Sequence, residues 1–249
     1  MTVSPEEPAT GVRKKLRERK ARIALVIDRD SKLLGVITRG DVLIITSRKS
    51  NARAHDIMEE PRIILRENER LGSAVKRMLE YDEWYAPVVS GDGMLVGILG
   101  LEHVIQRMLD ENENYLKNIT VQDIMTSDVE AVKEDDYVSS LWEKMIERKY
   151  AGFPVVDPKG KLMGIVTQYD ILARGGIIAR ETSGGPSRGS RIREIMTRSV
   201  EYAHPEDPAA RPARLMVSKG YGRIPVVEEE TRRLIGIVDR EDIVRLMFS

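Results

Sequence analysis

Four times along the chain a short apolar run is followed by a turn and by a second apolar run that contains a glycine. The paired runs are residues 23–27 with 33–37, 86–89 with 94–99, 153–156 with 162–166, and 224–227 with 234–238. Each pair reads as a β-hairpin, being rich in β-branched and apolar residues and bounded by turn formers. The third carries its turn openly: in Asp157-Pro158-Lys159-Gly160 the proline fixes φ and the glycine is free to take φ > 0. The internal glycines, Gly35, Gly97, Gly164 and Gly236, recur at intervals of 62, 67 and 72 residues. A glycine inside a strand often marks the close approach of a ligand or of another backbone.

Between the hairpins the period changes to that of a helix. Leu71, Ala74, Val75, Met78 and Leu79 share one face of a helix expected over 71–81, and Val138, Leu141, Trp142 and Met145 share one face of 137–148. Ser4-Pro5-Glu6-Glu7 reads as a capping box that opens a first helix, with Val12 and Leu16 turned to the core. A strand is expected at 62–65, a short helix beginning at Val42, and a longer helix over 102–117 that joins two halves of the molecule. Pro205, Pro208 and Pro212 should delay or kink the helix of the last repeat. Residues 175–189 hold five glycines with serines and a proline, and read as a linker or mobile loop.

A second motif keeps step with the last three hairpins: Asp56-Ile57-Met58, Asp123-Ile124-Met125 and Glu194-Ile195-Met196. Two motifs in register make an internal repeat, which governs the fold. We divide the chain at 1–50, 51–112, 113–180 and 187–249, the first repeat lacking the leading Asp-Ile-Met segment. Alternating β and α elements imply an α/β fold with helices on small sheets. One module cannot bury its sheet alone, so the natural unit is a pair. Beyond each second strand stand two residues three apart: Thr38 and Asp41, Gly100 and His103, Thr167 and Asp170, Asp239 and Asp242. At a strand-to-helix junction such residues face one side of the first helical turn. A hydroxyl and a carboxylate there could meet a phosphate and a ribose, or simply cap the helix.

These repeats resemble CBS domains, modules that occur in pairs (Bateman modules) and bind adenosyl compounds. The resemblance covers nearly the whole chain. It implies four tandem β-α-β-β-α repeats arranged as two pseudo-two-fold module pairs, repeat 1 with 2 and repeat 3 with 4. The four-module plan is similar to that of the nucleotide-sensing gamma subunits of AMP-activated kinases and of stand-alone archaeal-type proteins. In the third repeat it implies that Asp170 accepts from ribose hydroxyls and Thr167 donates to a phosphate. The cradle would include Ile124, Met125 and Thr126 with Ala151, Gly152, Phe153 and Pro154, able to sandwich an adenine. Thr38 and Asp41 also match, and Arg22, just before its strand, holds a place from which the family often reaches a phosphate across the pair. Asp239 and Asp242 depart from the pattern. Two carboxylates repel a polyphosphate, leaving that site empty or open to an uncharged or cationic adenosyl group. Arg223 beside it is expected to serve the ligand of repeat 3. Gly100 and His103 depart furthest, and repeat 2 reads as structural, with Trp84 and Tyr85 as core or as stacking surfaces.

Composition narrows the function without naming a ligand. Cysteine is absent, which excludes disulfides and thiolate metal sites, and His55, His103 and His204 form no metal constellation. Lysine plus arginine equals aspartate plus glutamate, so no net field draws nucleic acid to the whole surface. No apolar run is long enough to cross a bilayer and no signal peptide precedes the first charges, so a cytoplasmic protein without membrane contact is expected. No nucleophile–base pair or phosphate-binding glycine loop appears, so no enzyme and no catalytic cofactor is expected. The reading that results is a regulator sensing AMP, ADP, ATP or a related adenosyl compound in clefts between paired repeats. Its output would be an unidentified protein effector, with a homodimer through the modules as a further assembly. Two rivals stand beside it: a nucleic-acid-associated protein using the basic stripe from Arg13 to Arg22, and an assembly module with inactive sites.

Overall fold

The computed structural model describes residues 1–44, 51–174 and 189–248. Repeat 1 comprises β1 (Thr2–Val3), α1 (Ala9–Glu18), β2 (Ile23–Ile27), β3 (Leu33–Thr38) and α2 (Arg39–Leu43). Repeat 2 opens with the single turn α3 (Ala54–Ile57) and continues with β4 (Leu65–Arg66), α4 (Leu71–Glu80), β5 (Tyr85–Val89), β6 (Leu95–Gly100) and α5 (Leu101–Lys117). Repeat 3 begins with a 3-10 turn, Val121–Asp123, then β7 (Val132–Lys133), α6 (Val138–Arg148), β8 (Gly152–Val156), β9 (Leu162–Thr167) and α7 (Gln168–Ala173). Repeat 4 begins with the 3-10 turn Ile192–Glu194, followed by α8 (Ala210–Ser218), β10 (Arg223–Val227), β11 (Leu234–Asp239) and α9 (Arg240–Phe248).

All four hairpins form, and all four carry the same irregularity. In repeat 3, Val155 pairs with Gly164 and Val156 with Leu162, leaving Met163 as an extra residue. The equivalent shifts lie at Val26/Ile27, Val88/Val89 and Val226/Val227. A bulge of this kind bends the strand. In the first three repeats a short leading strand adds in parallel to the hairpin. In repeat 4 a single parallel bridge, Ala203 with Val226, stands in that place.

The motif glycine follows the bulge, and in repeats 1 and 3 it admits a backbone. The segments leading into repeats 2, 3 and 4 lie on the hairpin of the partner repeat. Glu59 pairs with Val36 through two bonds of 2.9 Å, Thr197 with Ile165 through two of 2.9 Å, and Thr126 with Ile237 at 2.9 and 3.0 Å. A Cβ on Gly35 would stand 2.9 Å from the Glu59 carbonyl oxygen, and one on Gly164 would stand 2.5 Å from that of Thr197. On Gly236 it would meet the Met125 sulfur at 2.5 Å, whereas on Gly97 it would meet nothing within 4 Å. Repeats 3 and 4 thus exchange leading segments reciprocally. Bridges Lys32–Met94 and Lys161–Arg233 join the turns within the same pairs.

A different pairing buries the helices. One core takes Val12 and Leu16 of repeat 1 with Val138, Leu141 and Met145 of repeat 3. The other takes Val75 and Met78 of repeat 2, Leu101 and Ile105 of α5, and Ala213, Met216 and Ile243 of repeat 4. Among the described residues, every backbone–backbone hydrogen bond and every bridge stays within 1–118 or within 119–248. The two halves therefore meet through side chains.

Several local expectations shift. The first helix starts at Ala9, because Ser4 makes a turn that receives the Glu6 and Glu7 amides, and the chain at Pro8 and Ala9 bridges Ala52 and Arg53 of the next repeat. The strand expected at 62–65 is confined to Leu65–Arg66, and α2 starts at Arg39, three residues before Val42. Pro212 falls in the first turn of α8, where an amide has no intrahelical partner and its loss is tolerated. The glycine-rich stretch 175–189 lies, but for Gly189, outside the described residues.

Candidate ligand-binding cavities

At the end of β9 the Thr167 amide and hydroxyl donate to one Asp170 carboxylate oxygen at 2.8 and 2.6 Å, and the Asp170 amide returns a bond to the Thr167 hydroxyl at 3.3 Å. The pair therefore caps α7. Capping does not exhaust Asp170, whose other oxygen accepts from the Thr197 hydroxyl at 3.3 Å. Beside it lies a cavity of about 420 Å³. Repeat 1 supplies Lys20, Arg22 and Arg39 to its wall, repeat 2 Trp84, and repeat 3 Ala151, Gly152, Ile165 and Tyr169. Repeat 4 supplies Thr197, Lys219, Tyr221 and Arg223.

The cations here are held by carbonyls and rings. Arg22 donates to the Gly220 carbonyl at 3.0 Å, Arg223 to that of Gly152 at 2.8 Å, and Arg39 to those of Ala21 and Lys20. The guanidiniums of Arg22 and Arg223 lie 5.8 and 5.7 Å from the Trp84 ring centre, and that of Arg39 lies 4.9 Å from the ring of Tyr169. Burial lowers the affinity of all three for their protons; Arg39, with Arg22 adding its repulsion, falls to about 10.

This geometry revises the expected wall. Ile124, Met125 and Thr126 do not reach Thr167, because their segment lies on β11 of repeat 4; Thr197 of the exchanged segment takes that place. Phe153 is core and Pro154, though buried, is not part of the cavity wall, while Ala151 and Gly152 do line the cavity. Arg22 lines the cavity of Thr167, not that of Thr38, since repeats 1 and 3 face each other through their helices. Arg223 lines the cavity of Thr167 and Asp170. Lys20, Arg39, Trp84, Thr197 and Lys219 were not singled out for this site. Arg39 could have been suspected, because it directly follows the last strand residue of a matching motif.

Thr38 and Asp41 line a second cavity of about 450 Å³. The Thr38 amide and hydroxyl donate to Asp41 at 2.6 and 2.8 Å, as at Thr167 but without the returning amide bond. The wall is acidic: Asp41, Glu59, Glu60, Asp82 and Glu83 stand against Arg62 and Lys149. Burial raises the pKa of Asp41 and of Glu83. Such a wall repels a phosphate. Gln168, the residue after Thr167, also reaches this cavity.

In repeat 4 the Asp239 amide donates to Asp242 at 2.7 Å, and an Asp239 carboxylate oxygen accepts from the Glu241 and Asp242 amides at 2.8 and 3.3 Å. A carboxylate thus replaces the capping hydroxyl. Neither Asp239 nor Asp242 lines the two cavities described above. In repeat 2 the Gly100 amide donates to the His103 ring at 3.0 Å. The ground beside it is filled from within: Arg240, 2% exposed, donates to the Tyr85 hydroxyl and to Glu102, both at 2.7 Å. Trp84 donates to Glu241 at 3.1 Å and so ties repeat 2 to repeat 4. On α1, Lys15 pairs with Glu7 at 2.7 Å and Lys14 with Glu18 at 3.9 Å, while Lys20 and Arg22 turn to the cavity, which breaks up the basic stripe. No helix among the described residues is long and apolar enough to cross a membrane.

Comparison with known proteins agrees with this architecture. The chain is 26% identical over 264 residues to protein MJ1225 of Methanocaldococcus jannaschii, covering 96% of this chain and 92% of that protein. The crystal structure of MJ1225, described as a proposed archaeal homologue of g-AMPK, superposes with a TM-score of 0.87 over 99% of this chain and 95% of that one. An uncharacterised conserved protein of Pyrococcus horikoshii, also 26% identical, gives a TM-score of 0.67 over 99% and 94%. A homoserine O-acetyltransferase of Methanococcoides burtonii is 35% identical over 134 residues, which is 54% of this chain and 25% of that enzyme. The sequence model of the CBS domain matches residues 1–47, 54–110, 121–175 and 192–249. With four matches in step with four hairpins, the chain belongs to the CBS domain family.

Proposed function

We propose that the protein is a regulatory sensor of an adenine nucleotide or related adenosyl compound, and that the cavity beside Thr167 and Asp170 is its principal site. The observation that carries the reading is the convergence, in one cavity of about 420 Å³, of a carboxylate at a helix start with guanidiniums from two other repeats. That volume falls within the range of about 300–1,000 Å³ usual for small-molecule sites. Asp170 would accept from ribose hydroxyls, while Arg22, Arg39 and Arg223 would hold phosphate. Ile165 and the rings of Tyr169 and Tyr221 offer apolar surface to a base. Because the wall comes from both halves, a ligand that fits one arrangement of the halves better than another shifts the population toward it. A protein partner would then read that arrangement.

Calorimetry with AMP, ADP, ATP and S-adenosylmethionine tests this. At least one should bind the parent protein, and Asp170→Ala should weaken it by roughly 10- to 100-fold, the scale of a hydrogen bond to a charged group. Unchanged affinity and stoichiometry in Asp170→Ala would overturn the assignment.

A further inference from the structure

Arg39 of repeat 1 and Arg240 of repeat 4 hold equivalent places, each being the first residue of the helix that follows the hairpin. Each crosses to the facing repeat, and there the two differ. Arg240 meets Glu102, two residues beyond the strand end of repeat 2, and forms a 2.7 Å ion pair. Arg39 meets Tyr169, two residues beyond the strand end of repeat 3, and stacks on a neutral ring at 4.9 Å. The same fold thus gives one guanidinium an internal ion pair and leaves the other without a carboxylate in contact. Arg22 and Arg223 share that condition: among the described residues, none of the three has a carboxylate within ion-pair distance. Each guanidinium carries five N–H donors, of which one or two are used here. Lys20 and Lys219 add further positive charge to the wall, and Asp170 is its one carboxylate. Partly desolvated cations held only by carbonyls and rings are costly, and they are stabilised by an anion that brings matching charge and acceptors.

We propose that the Thr167–Asp170 cavity is built for a nucleoside polyphosphate, and that it selects a di- or triphosphate over the monophosphate through Arg39. This rests on the adenosyl reading of the cavity. A monophosphate offers one phosphate group to three guanidiniums from two repeats, whereas a polyphosphate offers a chain of acceptors that can meet all three. Bidentate pairing of guanidinium with phosphate supplies the geometry.

The test is calorimetry of the full chain with AMP, ADP and ATP in magnesium-free buffer. ATP should bind at least about tenfold more tightly than AMP, the scale of one added charge-assisted hydrogen bond. Tyr169→Glu copies the Glu102 arrangement and gives Arg39 an internal counter-ion. It should weaken ATP by about tenfold or more and AMP by clearly less, while Tyr169→Phe behaves as the parent. Arg39→Gln should narrow the gap in the same way. AMP binding as tightly as ATP in the parent, or both ligands losing equally in Tyr169→Glu and in Arg39→Gln, would overturn the proposal and leave the adenosyl reading standing. Failure of every adenosyl compound to bind would overturn both.

Discussion

Asp242 and Glu241 show how one changed residue alters the chemistry of a shared position. Where repeats 1 and 3 have threonine before the helix, repeat 4 has Asp239, and the extra carboxylate is felt by its neighbours. Burial first, then the charge of Asp239, raises Asp242 to about 7. Burial, then a hydrogen bond with Asp82, raises Glu241 to about 7. Both folded-state values lie above the unfolded ones near 4, so between about pH 4 and 7 the native protein holds protons that the unfolded chain has released. Stability from these groups is therefore present at acid pH and is lost as pH rises to about 7. Asp242→Asn can still accept the Asp239 amide but cannot ionise. After allowance for solvent screening it should gain about 1–2 kcal/mol over the parent at pH 8 and little at pH 4. Melting temperatures of the two proteins that run parallel across this range would contradict the assignment.

Among the elements, the hairpins carry the sharpest contrast. Gly164→Ala places a methyl 2.5 Å from the Thr197 carbonyl oxygen, which belongs to backbone and cannot turn away. It should destabilise by about 1–3 kcal/mol, as overpacking does. Gly97→Ala meets open space and should be neutral or stabilising by up to about 1 kcal/mol. Equal denaturation midpoints for the two variants would refute the role given to the exchanged segments. Hairpins, helix faces and the fourfold repeat were legible because turn chemistry and hydrophobic period are local signals. The cavity walls were less legible. Ile124-Met125-Thr126 belongs to repeat 3 in sequence, yet Thr126 pairs with Ile237 of repeat 4, and no local pattern announces such an exchange. Arg22 reads from the sequence as part of the Thr38 site but lines the Thr167 cavity, because hairpin spacing does not say which repeats face each other through their helices. Ser4 misled for a related reason: the chain beside it pairs with Arg53, far along the sequence.

For the molecule as a whole, the contact of the buried Arg240 with Glu102 and Tyr85 ties repeat 4 to repeat 2. Arg240→Ala removes one partner of a buried pair and should cost about 3 kcal/mol or somewhat less, since Glu102 keeps some exposure to water. The companion Arg240→Met with Glu102→Leu should recover most of it, and a double variant no more stable than Arg240→Ala would show that packing rather than the ion pair is at stake. The division of bonding between backbone and side chains has a mechanical consequence. Strand hydrogen bonds are directional and hold each half as a stiff plate. The seam between the plates consists of interdigitated side chains, the kind of contact that slides in small shear steps. The Thr167 cavity straddles that seam, with Arg22 and Arg39 on one plate and Asp170 and Arg223 on the other, so an occupant acts as a pin through both. Amide hydrogen exchange should then show it directly, with nucleotide slowing exchange in the helices that face the seam, α1, α2 and α7 foremost, while the hairpin strands, already locked within their plates, change little.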